Sequence, residues 1–351
     1  MSSPNDFSLN CPVSLRQYPH VLMAHGGGGT LMHQLLDNVF GQAFRNPILD
    51  ARHDSARFHV PPGPLALTTD SYVVRPLFFP GGDIGSLAVH GTVNDLAMCG
   101  AEPLFLSAGY LLEEGFPMRD LERVVASMAE ACRGVGVALV TGDTKVVDRG
   151  KGDGIYVNTS GIGRVRDSVS VGPGRAAPGD AVIVSGPVGD HGIAVMAARE
   201  GIDFETTLVS DSAPVVALVR GLLDAVPDTH VLRDPTRGGL ATALCEIALS
   251  SKVGIRLEEG EIPVREEVRG ACELLGFDPL YVACEGRFLA IVPGERAEAA
   301  LAAIRSTPSG EAARRIGSVV GEDPGRLVLR TRIGSHRLLE RLSGEQLPRI
   351  C

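Results

Sequence analysis

Two hydrophobic patterns alternate along the first half of the chain, one with a period of two residues and one with helical spacing. Apolar and polar positions alternate through 64–74, and a mostly apolar run then ends at Gly100. A later stretch is apolar at helical spacing, at Leu121, Val124, Val125, Met128, Ala129 and Cys132. We predict helices at 84–100 and 121–132, and strands at 64–74, 104–112, 137–141 and 154–161. The first half is therefore expected to be a layered α/β unit.

A second α/β unit of similar size follows a connection that contains glycine and proline. Residues 165–180 carry little periodic hydrophobicity, as is typical between domains. Beyond them, the pattern predicts helices at 215–226, 239–250, 265–275 and 295–305, and strands at 181–185, 229–233, 253–258, 281–292 and 326–332. We predict an N-terminal domain over 1–165, a connection over 166–180, a C-terminal domain over 181–342 and a mobile tail over 343–351.

Composition excludes several classes of protein. The 351 residues are 44% hydrophobic, too apolar for a disordered chain, although 43 glycines and 23 prolines indicate many loops. A net charge of −9, no tryptophan and 5% aromatic residues disfavour nucleic-acid binding. Seven scattered cysteines without a CxxC pair indicate neither a disulfide framework nor a zinc or iron–sulfur site. Without a basic leader or a long apolar run, a soluble, cytoplasmic protein that does not contact membranes is expected.

Four consecutive glycines, Gly26, Gly27, Gly28 and Gly29, follow His25. Their backbone N–H groups could approach a phosphate without hindrance from side chains. The run matches neither GxGxxG nor GxxxxGK[ST], so by itself it favours the alternative, a flexible loop.

Four aspartates, Asp70, Asp83, Asp95 and Asp143, occur where the pattern predicts strand ends and turns. Mg²⁺ prefers hard oxygen ligands and is usually held by a few carboxylates together with water and nucleotide phosphates. Aspartate is also common in turns, so each residue has a structural alternative. Together with the glycine run, the set predicts a site for a metal–nucleotide complex.

Two further charged residues are candidates for catalysis. Lys145 follows Thr144 after an apolar strand, where its ammonium could meet a phosphoryl group or a developing oxyanion. A surface lysine is the alternative. Glu285 lies in an otherwise apolar, strand-like run, where burial would raise its pKa and suit acid–base chemistry. A bulge or strand edge at Gly286 explains that glutamate equally well.

The chain ends in a cysteine, Cys351, and chain ends are mobile unless they dock. Seven or eight extended residues reach about 25 Å, so this thiol could carry an acyl group between the protein and a partner. In an extended tail Arg349 projects to the same side as Cys351, where it would offset the terminal carboxylate and favour the thiolate. A terminal cysteine without a role is the alternative.

Nearly the whole chain resembles the HypE family of hydrogenase maturation proteins, through the ordered motifs HGGGG, TTDSYVVRPLFFPGGDIG, GTVNDLAMCGAEP, TGDTKVV, DPTRGGLA, DPLYVACEG and PRIC. This family belongs to the ATP-using superfamily of aminoimidazole ribonucleotide synthetase, selenophosphate synthetase and thiamine-monophosphate kinase. The glycine run and the aspartates are signals of the superfamily, whereas the PRIC ending singles out HypE. The resemblance implies a two-domain α/β (α+β) fold. It also implies a homodimer whose N-terminal domains share a β-barrel-like core, with ATP near the dimer interface.

The same resemblance implies roles for individual residues. It implies an Mg–ATP site formed by Asp70, Asp83, Asn94, Asp95, Asp143 and Thr144, with the four aspartates as metal ligands. Gly26 to Gly29 would cover the phosphates, Lys145 and Glu285 would lie near the reacting tail, and Cys351 would be the covalent carrier.

Two further motif positions bear on the implied site. Cys284 stands where the family more often has asparagine, so a hydrogen bond made by that asparagine does not carry over to this chain. Asp234, in the motif DPTRGG, also matches the family, and we expect a turn and helix start there, with Asp234 as polar support for the site.

The activity implied by the resemblance is ATP-dependent carbamoyl dehydration. A carbamoyltransferase of the HypF type would load Cys351, and ATP would drive the change from thiocarboxamide to thiocyanate. Phosphorylation of the carboxamide oxygen makes phosphate the leaving group instead of hydroxide, and Glu285 would remove amide protons. The thiocyanate would supply the cyanide ligand of a [NiFe]-hydrogenase through a HypC–HypD-type complex.

Two other functions are compatible with parts of the sequence. A non-catalytic carrier in a maturation complex would keep the terminal thiol but have a decayed nucleotide site, which the aspartates argue against. A related ATP-dependent kinase or synthetase for a free small molecule would keep the nucleotide site and give Cys351 no role.

Overall fold

The structure is a computed structural model that describes residues 18–201, 208–342 and 350–351. In the N-terminal half the helices are α1 (Thr30–Leu35), α2 (Gly41–Ala43), α3 (Pro47–Asp50), α4 (Ile84–Met98) and α5 (Met118–Val135). The strands are β1 (Leu65–Tyr72), β2 (Phe78–Phe79), β3 (Gly82–Asp83), β4 (Ala101–Glu113), β5 (Ala138–Val147) and β6 (Ile155–Val165).

The N-terminal domain is a four-stranded sheet covered on one face by helices. Its strand order is β1-β6-β4-β5, antiparallel except for the parallel pair β4 and β5. The cover includes α4, which is buried on nearly all sides and begins with an Asp83–Ser86 capping box. The helix α5 buries the apolar stripe from Leu121 to Cys132 and ends at Gly136, whose φ of 78° is the left-handed conformation that glycine adopts easily.

On the opposite face of this sheet, which we call the open face, Phe58 packs against Phe105 of β4 with 4.3 Å between ring centroids, but several apolar side chains stay exposed. Alternate positions of β1 point to this open face, where Leu67 is 78% exposed and Leu65 is 46% exposed. Leu111 of β4 lies on the same face and is also exposed. The four strands of one chain form an open sheet, so the β-barrel-like core stays a prediction for the dimer.

The C-terminal domain is a seven-stranded sheet with helices on both faces. Its strands are β7 (Ala181–Val184), β8 (Val231–Arg233), β9 (Gly254–Glu258), β10 (Leu289–Val292), β11 (Arg314–Val320), β12 (Leu327–Arg330) and β13 (His336–Leu339), in the order β13-β12-β9-β11-β7-β10-β8. Its helices are α6 (Asp190–Glu200), α7 (Val216–Ala225), α8 (Gly239–Ser251), α9 (Glu266–Leu275) and α10 (Ala297–Arg305). Only β9 and β12 pair in parallel.

One hydrophobic core joins the two domains. It runs from α4 and α5 through α7 to the side of the second sheet covered by α10, and a separate core lies between that sheet and α8. The predicted two-domain α/β fold class is confirmed. The domain boundaries stay a prediction, although no helix or strand interrupts 166–180. Within the described ranges, no helix is long and apolar enough to cross a membrane.

Several elements differ from the sequence-based expectation. The prediction missed α1 to α3, α6, β2, β3, β11 and β13. Helix α6 gives a weak periodic signal, because its first six residues are all buried and it has no polar face there. The strand expected over 281–292 was wrong for most of its length, since only Leu289–Val292 is a strand. Residues 281–288 take an irregular path that positions part of the site.

Candidate functional site

The four predicted aspartates do not form one cluster. Asp70 lies within β1 on the side facing α4, and Asp95 lies within α4, where Thr68 donates a hydrogen bond to its carboxylate at 2.7 Å. Asp143 lies within β5 and points to the open face. The expectation of turns and strand ends is therefore wrong for these three. Over the described ranges, no group of three or more His, Cys, Asp or Glu side chains is placed to hold a metal ion.

A small cavity at the junction of the two domains contains the end of the chain. Its volume is about 30 Å³, and it is lined by Asp70, Ser71, Tyr72, Gly91, Asp95, Asp234, Thr236, Arg237, Glu285 and Cys351. We call it the Cys351 pocket. One water molecule needs a cavity of roughly 10–15 Å³, so the pocket has room for about two water-sized groups. The structure thus brings Asp70, Asp95, Glu285 and Cys351 together. The sequence analysis placed Glu285 near the tail but assigned Asp70 and Asp95 to the nucleotide site.

Glu285 is held in this pocket by its backbone, in a loop rather than in the strand expected from sequence. Its N–H donates to the Asp211 carboxylate at 3.1 Å, and its carbonyl accepts from the Asn94 side chain at 3.4 Å. A Cβ on Gly286 would lie 1.8 Å from the Asp211 carbonyl, so only glycine fits there. The side chain is 4% exposed, and its Oε1 has no hydrogen-bond partner among the described residues.

Negative charge is concentrated around the pocket at an electrostatic cost. Burial raises the pKa of Glu285 well above its ordinary value, and repulsion from Asp234, Asp211 and Asp70 adds to the effect. Burial and the neighbouring Asp95 raise the pKa of Asp234 to about 6. Groups of this kind favour a proton or a bound cation, and perturbed carboxyls in a cleft are typical of functional sites.

The thiol of Cys351 is neutral in this environment. Burial raises its pKa, and the adjacent Glu285 raises it further. Arg237 partly opposes this effect. Its guanidinium lies 4.0 Å from the Asp70 carboxylate at the mouth of the pocket. Because the thiolate is the nucleophilic form, the docked cysteine is not prepared for attack on an acyl donor.

Three residues predicted to bind the nucleotide have contacts of another kind. Asn94 is 3% exposed, and its amide joins the domains by donating to the carbonyls of Ala213 and Glu285 and accepting from the Val215 N–H. Asp83 accepts from two N–H groups at the start of α4 and acts as its N-cap. Thr144 is buried. These contacts give Asn94 and Asp83 structural roles in this chain, and nucleotide binding by the three residues stays a prediction.

Lys145 and Asp143 lie together in a second cavity, on the open face of the first sheet. This cavity measures about 390 Å³, and the Lys145 ammonium lies 3.2 Å from the Asp143 carboxylate. The glycine run begins beside it, since a Cβ on Gly26 would be 2.7 Å from the Val146 nitrogen. Gly28 and Gly29 face open space. Within one chain, the structure therefore places Lys145 with the glycine run and not in the Cys351 pocket.

The C-terminal end is docked through residues that sequence reasoning missed. Ile350 is 4% exposed, and its carbonyl accepts a hydrogen bond from His191 Nε2 at 2.7 Å. Helix α6 carries His191 and escaped prediction, so the histidine gave no signal. Tyr72 and Arg237 belong to quoted motifs and could have been singled out. Arg349 and the rest of 343–349 lie outside the described residues, so the role assigned to Arg349 and the mobility of the tail stay predictions.

Cys284 points away from the Cys351 pocket, toward the start of α6. It is fully buried, and its sulfur accepts a hydrogen bond from the Gly189 N–H at 3.2 Å. The sequence left open what this residue contributes. The structure shows that it supports the turn that leads to His191. Cys132, Cys245 and Cys272 are also buried, as expected of small hydrophobic residues.

Comparison with known proteins agrees with this geometry. The models of the AIR synthase related protein family match residues 52–165 (N-terminal domain) and 177–330 (C-terminal domain). The carbamoyl dehydratase HypE of Azotobacter vinelandii is 54% identical over 331 residues, which are 94% of this chain and 97% of that protein. The chain belongs to the HypE family of AIR synthase-related proteins.

Solved HypE structures share the fold over nearly their whole length. A crystal structure of hydrogenase maturation protein HypE in complex with ATP has a TM-score of 0.91 and 52% identity, covering 94% of this chain and 99% of that one. The HypE–HypF complex contains a chain with a TM-score of 0.77 and 47% identity, covering 88% of this chain and 99% of that one.

Proposed function

We propose that this HypE-family chain is an ATP-dependent carbamoyl dehydratase that acts on its own C-terminal cysteine. The observation that carries the proposal is the placement of Cys351 beside the buried carboxyl of Glu285, in a pocket with room for two water-sized groups. A carbamoyl group on sulfur adds three heavy atoms, a carbon that carries one oxygen and one nitrogen, and so is comparable in size to this space. Neither a simple carrier nor a kinase for a free substrate requires the chain end to lie there.

The reaction converts Cys351–S–C(=O)–NH₂ and ATP into Cys351–S–C≡N, ADP and phosphate. The carboxamide oxygen attacks the γ-phosphoryl group, and the C–O bond then breaks with phosphate as the leaving group. Both amide protons must leave during this step. Glu285 lies where it can accept the proton lost as the oxygen is phosphorylated, and its raised pKa makes the ionised carboxylate a stronger base. The departing phosphate takes the second proton. A loaded tail would fill most of this small pocket and leave little room for water, which would hydrolyse the phosphorylated intermediate.

Residues on the open face support the nucleotide part of the proposal. The glycine run begins against Val146, the residue after Lys145, and Gly28 and Gly29 face open space, so backbone N–H groups of the run could bind phosphates near that lysine. The crystal structure of HypE with ATP shows that a similar protein binds this nucleotide.

Mg²⁺ fits the carboxylates on the other side of β1. Asp95 and Asp234 are destabilised as anions by burial, and each also repels a neighbouring carboxylate. Carboxylate oxygens are the ligands Mg²⁺ prefers, so we propose that Asp95 and Asp234 would supply two ligands of the ion, with water and phosphate oxygens supplying the rest. Mg²⁺ would offset the charge of the triphosphate during transfer.

The open sheet face supports a homodimer, with a second copy of the chain as its occupant. Leu65, Leu67 and Leu111 are all at least 46% exposed on that face, in the same domain as the Asp143–Lys145 cavity. A second sheet packed there would bury them and bring Lys145 close to the partner chain. Leu67→Asp should convert a dimer to monomer in sedimentation velocity, whereas a change at an exposed residue elsewhere, Leu274→Asp, should not.

Three further predictions concern partners and location. The HypE–HypF crystal structure shows a similar chain bound to HypF, so we propose a HypF-type carbamoyltransferase as the donor. A HypC–HypD-type complex would accept the cyanide group. A cytoplasmic location is proposed because the reaction needs ATP and a reduced thiol.

Intact mass spectrometry tests the central proposal. The protein is incubated with a HypF-type carbamoyltransferase, carbamoyl phosphate and ATP, desalted, and then given or denied Mg–ATP. We expect a carbamoyl adduct, absent from Cys351→Ala, that loses one water only with Mg–ATP. An adduct that never loses water would support a carrier instead, and no adduct would point to a free small-molecule substrate.

A further inference from the structure

We propose that His191 is a positioning residue for the reaction, because it holds the backbone carbonyl of Ile350 and thereby fixes Cys351 in its pocket. This inference rests on the proposed function for its catalytic consequence, but not for the docking itself. The contact is direct, with His191 Nε2 2.7 Å from the Ile350 carbonyl oxygen. Because a planar peptide unit joins that carbonyl to Cys351, fixing the oxygen restricts the position of the cysteine.

Hydrogen-bond chemistry determines the protonation of this histidine. A carbonyl oxygen can only accept, so Nε2 must carry the proton. Burial lowers the pKa of His191 to about 4, so the ring is neutral and its Nδ1 is an acceptor. The Ser210 hydroxyl, 2.8 Å from Nδ1, must then donate to it. Ser210 Oγ in turn accepts from the Ser212 N–H at 3.0 Å. Every member of this chain has a fixed role.

The support for His191 comes from both domains, which makes its position well defined. His191 is fully buried near the start of α6 and contacts the ring of Phe79 edge to face, at 5.5 Å between centroids. The Ser210 N–H donates to the carbonyl of Pro80, in the N-terminal domain, at 2.8 Å. A Cβ on Gly81 would collide with Ser210, so this approach requires glycine. The donor toward the tail is therefore preorganised before the tail arrives.

The same chain of contacts reaches Glu285. Asp211 follows Ser210 directly and accepts from the Glu285 N–H. Ser210 and Asp211 are adjacent in one segment. Ser210 thus holds His191, which binds the tail, and Asp211 holds Glu285, whose carboxyl faces Cys351. Displacement of this segment would change the distance between the thiol-borne group and its base, and a shift of about 1 Å can slow a positioned reaction by roughly a hundredfold.

Two amide substitutions of the histidine provide a matched test. In His191→Gln, the terminal amide occupies the place of Nε2 and can still donate to Ile350. In His191→Asn, the shorter amide occupies the place of Nδ1 and reaches only toward Ser210. The variants have similar polarity and differ mainly in whether the tail keeps its donor. His336→Asn, at an exposed position of β13, serves as the surface control.

Alkylation of Cys351 reports docking without any enzymatic activity. Each protein is treated with iodoacetamide and cleaved after Glu345, and the modified peptide 346–351 is quantified by mass spectrometry. Loss of one buried hydrogen bond should raise the alkylation rate in His191→Asn by about five- to tenfold. His191→Gln should show a clearly smaller increase, and His336→Asn none. Equal rates in wild type, His191→Asn and His191→Gln would overturn the proposal.

Thermal unfolding identifies variants that fail for another reason. If either His191 variant is unfolded, Ser210→Ala replaces it, because this change removes only the hydroxyl that orients the ring. It should accelerate alkylation less than His191→Asn does, and an unchanged rate in a folded Ser210→Ala protein would also count against the proposal.

A single-turnover assay on carbamoylated protein then tests positioning. Dehydration in His191→Asn should slow while loading by the carbamoyltransferase continues, because loading uses the undocked tail. Partial recovery of the dehydration rate in His191→Gln is expected. Failure of dehydration in the wild type would contradict the proposed function but leave the alkylation result intact. Unchanged dehydration in His191→Asn would overturn the positioning role alone.

Discussion

Replacement of Asp234 by asparagine should stabilise the isolated protein while removing its activity. The carboxyl lines the Cys351 pocket, and burial together with Asp95 raises its pKa from 3.8 to about 6. Above pH 6 the Asp234 carboxylate is therefore ionised in the folded protein, where its charge costs more free energy than in the unfolded chain. Asparagine has nearly the same shape and no charge, so Asp234→Asn removes this cost. Loss of the carboxylate should also remove a ligand of the proposed cation.

The expected size of the effect follows from the pKa. A shift of about two units corresponds to about 3 kcal/mol at pH 8, which is an upper limit because asparagine can lose a hydrogen bond. For a long chain this is roughly 5 °C in Tm. Because the pKa of Asp234 is raised in the folded state, the stability advantage of Asp234→Asn reaches its full size above pH 6. It falls to about half at pH 5 and disappears below about pH 4, where both states are protonated.

Differential scanning calorimetry between pH 5 and pH 8, without ligands, measures this profile. Comparison of variant and wild type at each pH cancels the titration of His90 and His191, whose lowered pKa values would otherwise complicate it. Asp148→Asn, at an exposed position, is the matched surface control. A variant less stable than wild type at pH 8, or an advantage independent of pH, would refute the electrostatic reasoning.

Two other substitutions test the support and the contents of the pocket. Cys284→Asn should keep the stability and the dehydration rate close to wild type, since the amide oxygen can accept a hydrogen bond from the Gly189 N–H. Cys284→Ala leaves that N–H buried without an acceptor, so it should cost about 1–3 kcal/mol of stability, measured by thermal unfolding. Tyr72→Phe should leave Tm nearly unchanged, because the hydroxyl is buried without a hydrogen bond of ordinary geometry to a described residue. The same change should slow dehydration in single turnover if the hydroxyl contacts the carbamoyl group, and an unchanged rate would exclude that contact.

Sequence reasoning succeeded where a local pattern determines the structure. The apolar stripe of α5 and the alternation in β1 are set by residues a few positions apart, and both elements were found within a few residues of their ends. Glu285 was singled out for burial, and the structure does bury it.

The errors arose where long-range contacts override local patterns. The run before β10 is apolar enough for a strand. It forms a loop instead, because the Glu285 N–H donates a hydrogen bond to Asp211 and Gly286 approaches the Asp211 carbonyl closely. The aspartates appeared as one set because chain order does not show which face of a strand a residue occupies. Asp70 and Asp143 lie on opposite faces of the same sheet. His191 could not be found, because its function depends on a residue 159 positions away.

The unpaired atoms in the Cys351 pocket indicate which form of the tail fits it better. Glu285 Oε1 and the Tyr72 hydroxyl are both buried without a hydrogen bond of ordinary geometry to the described residues while the cysteine is a free thiol. A carbamoyl group offers an N–H donor and a carbonyl acceptor, which is the complement of a carboxylate and a hydroxyl. The loaded tail would satisfy both atoms, whereas the free tail leaves the cost of two buried polar groups. The unloaded tail is therefore the one that leaves more readily, and the loaded tail the one that returns, so the order of the two reactions can follow from hydrogen bonding alone. A normal rate of dehydration in Tyr72→Phe would contradict this account.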